Sequence, residues 1–164
     1  MDKLHILQTV KQGKYRPQAI LGVEIPKANG KSRLLGIPTV TDRLLQQAVS
    51  QVVMPKFENG FSAYSYGFRP NRNARQAVGK ALEYIHEGYS FIVDIDLKTF
   101  FDEVDHCLLL NLLYQKVKCQ ITLQLIRKWL RAPILINGKL EKRRKGVPQG
   151  SPISPLLSNI LLNE

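Results

Sequence analysis

Apolar and polar positions follow two different periods along this chain, and the switches between them mark its elements. From 42 to 56, Leu44, Leu45, Ala48, Val49, Val52 and Val53 recur at helical spacing, which predicts a helix ending near Pro55. Pro38 stops the segment before it, and Thr41 or Asp42 is the expected N-cap. Upstream, a short helix and the loop KQGKYRP fill residues 1–18. ILGVEIP (20–26) and SRLLGIP (32–38) read as strands joined by KANGK, where Asn29-Gly30 is a strong hairpin signal. FSAYSYGFRPNRN is irregular, punctuated by Gly and Pro, and a helix is expected over 73–87 with Gly88 as its stop.

The clearest strand pattern is YSFIVDIDL, with Phe91, Val93, Ile95 and Leu97 opposite Ile92, Asp94 and Asp96. Helices follow over 103–116 and 120–131, the second carrying the only tryptophan, Trp129. APILINGKLEKRRKG reads as another hairpin, turned by Asn137-Gly138. Near the C-terminus Ile153, Leu156, Leu157, Ile160 and Leu161 form one apolar helical stripe. The whole is an α+β pattern, about half helix, with its strands mostly in hairpins. The last stripe runs uncapped to Glu164, so a piece of something longer is expected.

Length and composition narrow the classes. A chain of 164 residues with 44% hydrophobic residues suits one domain or two small lobes. No apolar run approaches a membrane span, and the N-terminus has no apolar region of the signal-peptide kind. Cys107 and Cys119, twelve apart and without a His or Cys at ligand spacing, predict reduced thiols in a cytoplasmic protein. The charge changes the picture more. Twenty-four Lys and Arg face thirteen acids, for a net +11 and a pI near 9.8. Such a balance points to a polyanion, and the aromatic and basic residues mixed in YSYGFRPNRNARQ point to nucleic acid.

Against that background, FIVDIDLKTFFDEVDH concentrates five carboxylates: Asp94, Asp96, Asp102, Glu103 and Asp105. Alternation puts Asp94 and Asp96 on one strand face, with Asp96 at its carboxyl end. Hard oxygens there suit Mg²⁺, which binds one or two carboxylates together with substrate phosphates. Asp102 reads instead as a helix N-cap with Asp105 in a capping-box position, and Asp94 reads equally as a solvated acid. In VPQGSPISP, Gly146 and Gly150 permit close backbone approach, and Ser151-Pro152 reads as a helix N-cap followed by a first-turn proline. Lys27, Lys31 and Arg33 surround the first hairpin tip. Lys142, Arg143, Arg144 and Lys145 lead into the VPQG loop. His5, His86 and His106 show no evident partner.

Four motifs in order, GKYRPQAILGVEIPKANGKSRLLGIPTVTDRLLQQAV, YSYGFRPNRNARQAV, DLKTFFDEVDH and GVPQGSPISPLLSNILLNE, resemble the group II intron-encoded reverse transcriptase/maturase family, across nearly all 164 residues. The resemblance implies a right-hand polymerase fold. Fingers would occupy about 1–90 and 112–148, and a partial palm about 91–111 and 149–164. It implies an RNA-directed DNA polymerase that adds dNTPs to a DNA primer on an RNA template with two Mg²⁺ ions. Asp96 matches the first metal-binding aspartate, and the Leu97 carbonyl a ligand of the second ion. Phe101 matches the residue that excludes a ribose 2′-hydroxyl. The backbone amides of Thr99, Phe100 and Phe101, with Lys27 and Arg33, match positions near the triphosphate. Gln149 and Gly150 match the loop on the incoming nucleotide. Arg69 would support either the nucleic-acid path or the fold, and Arg72 and 142–145 the nucleic-acid surface. The family's Tyr-Ala-Asp-Asp turn is absent, so the chain alone is expected to be inactive. The other reading is a non-catalytic splicing module gripping intron RNA. A bacterial cytoplasmic location, no membrane and the option of self-association complete the expectations.

Overall fold

The computed structural model describes residues 3–28, 30 and 32–164, and it bears out the α+β expectation. The chain runs α1 (Lys3–Lys11), β1 (Ile20–Pro26), β2 (Ser32–Ile37), α2 (Val40–Glu58), α3 (Ala74–His86), α4 (Phe100–Glu103), α5 (His106–Lys116), α6 (Gln120–Leu130), β3 (Ile134–Ile136), β4 (Lys139–Glu141) and α7 (Ser154–Leu162). Asn29 of the expected turn and Lys31 lie outside the described residues. No helix among them is long and apolar enough to cross a membrane.

The two hairpins merge into one four-stranded sheet, in the order β2-β1-β3-β4. Both hairpins are antiparallel, but β1 and β3 pair in parallel, with Ile20 beside Ile134 and Leu21 beside Leu135. Asn137 and Gly138 both take positive φ, 49° and 78°, as a type I′ hairpin turn requires. The main core lies between α2, α5, α6 and α7. Leu109, Leu113 and Ile126 are fully buried there, with Val53, Trp129, Leu156 and Leu157 around them.

A buried carboxylate ties the sheet side to this core. Asp42 accepts hydrogen bonds from Tyr15 Oη (2.9 Å), Thr39 Oγ1 (2.9 Å), Trp129 Nε1 (2.9 Å) and the Gln18 amide (3.2 Å). Thr39, not Thr41 or Asp42, is the N-cap of α2, its hydroxyl accepting from the Asp42 amide. The helix therefore starts earlier than expected, which releases the Asp42 side chain inward. Burial first, then the bond to Asp42 and its charge, hold the Tyr15 phenol well above its ordinary range. The folded state thus keeps a proton that the unfolded state releases above about pH 10, so this contribution is full below that pH and is lost as pH rises beyond it. Urea unfolding at pH 9 and pH 11 should show a larger loss for the wild type than for Tyr15→Phe. Equal losses would remove this pair from the alkaline limb.

The expected strand at 91–97 is a correction. The segment has no regular secondary structure, and no described strand pairs with it. Its side chains stand in the open, with Phe91 95% and Ile95 80% exposed. Alternating apolar residues form a strand only where a neighbour completes the ladder. The expected helix at 103–116 is also divided. It comprises the single turn α4 and then α5, which Asp105 caps by accepting from the Leu108 amide. Asp102 is thus not the cap. Nor is Ser151: α7 begins three residues later, with Ile153 at the cap position, and the Ser151 hydroxyl donates to Gln46 of α2 instead.

Candidate active site

Four pieces of chain line one open cavity of about 560 Å³. The first hairpin contributes Lys27, Ser32 and Arg33. The stretch from 96 to 102, running into α4, contributes Asp96, Leu97, Thr99, Phe100, Phe101 and Asp102. The VPQG loop contributes Gln149, and Leu162 of α7 completes the wall. Most of the nucleotide and metal candidates singled out from the sequence therefore share one cavity.

Local backbone geometry brings these pieces together. Thr99 sits at φ 54°, a left-handed conformation that is costly for a β-branched residue. Its carbonyl accepts from the amides of Asp102 (2.9 Å) and Glu103 (3.2 Å), closing the turn of α4. Phe100 and Phe101 pack edge to face, with ring centroids 5.7 Å apart, and both lie against the main core. On the other side, the Gly36 amide donates to the Gln149 carbonyl at 2.8 Å, docking the VPQG loop on β2. Gly150 takes φ +107°, and a Cβ there would stand 3.0 Å from Leu35 and 3.1 Å from the Gly36 carbonyl. Only glycine admits that approach.

The metal question turns on donors. Among the described residues no group of three or more His, Cys, Asp or Glu side chains could hold a metal ion. Asp96 and Asp102 are the acids lining the cavity, beside the cations Lys27 and Arg33. One or two carboxylates with room left for phosphate oxygens and water fit a magnesium ion's preference. Gly150, also expected near the nucleotide, does not line the cavity; it packs against Leu35 and Gly36 of β2.

The nucleic-acid candidates divide. Arg69 is buried. It pairs with Glu58 at 2.8 Å and donates to the carbonyls of Ser62 (2.6 Å) and Ser65 (2.9 Å), which favours the fold half of its two expected roles. Arg72 stacks over Tyr66 and donates to the Ala63 carbonyl at 2.9 Å. Lys142 and Arg144 are exposed. Lys145 is exposed too and pairs with Glu103, while Arg143 turns inward and donates to the Gly146 carbonyl at 2.7 Å.

Sequence reasoning placed Asp102 at a helix cap and left His106 without a partner. Asp102 lines the cavity. His106 is 4% exposed, and its Nε2 lies 2.8 Å from the Gly146 carbonyl. The signal for His106 was present: it falls in phase with Leu109 and Leu113 on the buried face of α5.

The cavity thus joins two carboxylates, the hairpin cations and the VPQG loop. The chain belongs to the reverse transcriptase (RNA-dependent DNA polymerase) family, matched over residues 25–164. It is similar to the group II intron-encoded protein LtrA of Lactococcus lactis subsp. cremoris, 41% identical over 160 residues. That alignment covers 97% of this chain and 26% of the relative. It is also similar to protein YkfC of Escherichia coli strain K12, 38% identical over 156 residues, covering 93% of this chain and 41% of that protein. Among solved structures, a chain of a partial Cas6-RT-Cas1–Cas2 complex superposes with TM-score 0.64 at 28% identity, covering 97% of this chain and 27% of that one. The fold is accordingly that of a reverse transcriptase's fingers and palm. The chain spans about a quarter of the LtrA protein's length.

Proposed function

We propose that this chain forms the fingers, about 1–90 and 112–148, and the first part of the palm, about 91–111 and 149–164, of an RNA-directed DNA polymerase of the group II intron type. The observation that carries this reading is the single cavity shared by Lys27, Arg33, Asp96, Phe101 and Gln149. Asp96, with the Leu97 carbonyl, would hold Mg²⁺. Bound there, the ion neutralises phosphoryl charge and acidifies a primer hydroxyl. Lys27 and Arg33, projecting from the first hairpin, hold a triphosphate, and the backbone at Thr99, Phe100 and Phe101 lies beside it. Phe101, wedged between Phe100 and the core, presents a fixed bulk to the sugar. Gln149 and Gly150 form the floor under the base. Template RNA and a DNA primer run across the basic surface. In a bacterium this site would work in the cytoplasm.

Expressed from its complete reading frame, the protein should extend a DNA primer on an RNA template with dNTPs and Mg²⁺. RNA binding without any extension would leave the other reading, a splicing module that grips intron RNA. The basic surface makes its own prediction. If the exposed Lys142 and Arg144 meet single-stranded RNA phosphates, those two contacts should cost about seven-fold in affinity between 50 and 200 mM salt. Filter binding or fluorescence anisotropy would measure it, and a flat response would remove the phosphate contacts.

A further inference from the structure

Two stretches that carry lining residues of the cavity, 99–104 and 146–149, are far apart in sequence and meet at one junction. The Val147 amide donates to the Phe101 carbonyl at 2.7 Å, and the Gly146 amide donates to the Val104 carbonyl at 2.8 Å. Gly146 takes φ +81°, and a Cβ there would stand 2.8 Å from the Asp102 carbonyl and 2.9 Å from that of Phe101. The two stretches of chain touch, with no room for a side chain between them.

This junction is held by two side chains on one acceptor. His106 Nε2 reaches the Gly146 carbonyl at 2.8 Å, and Arg143 Nη2 reaches the same oxygen at 2.7 Å. A carbonyl only accepts, so the imidazole proton lies on Nε2. Holding this oxygen is not free. The other imidazole nitrogen, Nδ1, and the second terminal guanidinium nitrogen, Nη1, are buried with no hydrogen-bond partner among the described residues. A buried polar atom left unpaired is destabilising. Burial, with Arg143 from the loop and Arg131 from the end of α6, depresses the His106 pKa against the backbone bond and Asp105. The neutral ring is therefore the form packed here.

We propose that His106 and Arg143 are positioning residues: by clamping the Gly146 carbonyl from two sides, they set the spacing between the Phe101 turn and the Gln149 loop, and so the fit of the nucleotide between them. This rests on the reading of the cavity as the nucleotide site. Neither side chain lines the cavity itself, so each acts through the backbone.

The test is steady-state primer extension on an RNA template by the protein from the complete reading frame, comparing His106→Leu, His106→Gln, Arg143→Met and Phe101→Ala. His106→Leu keeps an apolar side chain in the core but loses the donor. Its KM for dNTP should rise about three- to ten-fold, the scale of one hydrogen bond, with template–primer affinity unchanged. His106→Gln places an amide at similar reach and should return KM to within about two-fold of the wild type. If His106→Leu lowers only the fraction of active enzyme and leaves KM unchanged, or if glutamine does no better than leucine, the clamp is overturned. Should His106→Leu fail to fold, Arg143→Met decides in the same way: a raised KM supports the clamp and an unchanged one overturns it. A wild type that extends no primer overturns the site reading and the clamp together. Unaltered sugar discrimination in Phe101→Ala overturns only the sugar gate, because the clamp is read through KM.

Discussion

Asp96→Asn is expected to lower primer extension by about two to three orders of magnitude, the scale for removing an electrostatic stabiliser at a reacting centre. RNA affinity should stay within about two-fold. The physical basis is the contrast in the cavity wall, where the cations Lys27 and Arg33 face a short acidic turn. Amidation of Asp96 removes a hard anionic donor but adds no bulk, so the cavity keeps its shape. The exposure of Asp96 also means that no core packing depends on it. An Asp96→Asn variant that extends primers at the wild-type rate would sink the site assignment. One that loses RNA affinity as well would indicate a wider structural effect.

Phe101→Ala should act on selectivity rather than rate. Phe101 is held by Phe100 at 5.7 Å, edge to face, and by the Val147 amide on its carbonyl. It is therefore a stiff obstacle, and deleting it would open room where the proposed reading places the sugar. The ratio of dNTP to rNTP kcat/KM is expected to fall about ten- to two-hundred-fold, the range available to a steric pocket. Competition assays with each nucleotide pair would measure it. An unchanged ratio would assign the gate elsewhere. Because Phe101 also packs against the core, the variant should lose some stability, and a thermal melt separates that loss from the change in selectivity.

Much of this architecture was legible from periodicity because its elements are local. The Asn137-Gly138 turn, the 120–131 helix and the capped helix after Asn73 each follow from signals within a few residues. The failures share a cause, which is dependence on a distant partner. YSFIVDIDL has the alternation of a strand, yet pairing is a property of its neighbours, and no described strand lies beside it. Ser151 has the chemistry of an N-cap, but Gln46, 105 positions earlier, takes its hydroxyl. Asp102 looked like a cap because the break at Val104 was invisible in the apolar pattern. For the site, residue types and the family resemblance pointed to Asp96, Phe101 and Gln149. The burial of His106 is legible in its phase with Leu109 and Leu113, but its acceptor, the Gly146 carbonyl, is backbone and carries no signature in the sequence.

The parallel pairing of β1 with β3 has a consequence for how the protein is made. Ile20 and its partner Ile134 are 114 positions apart, and only two residue pairs join the hairpins across that gap. On the ribosome, at ~5–20 residues per second, the first hairpin would wait on the order of ten seconds for its neighbour. During that interval the outer edge of β1 offers unpaired amides and carbonyls to any other extended chain. Nascent chains stalled between residues 40 and 130 should accordingly be the most prone to aggregate, and those released after the second hairpin has emerged the least.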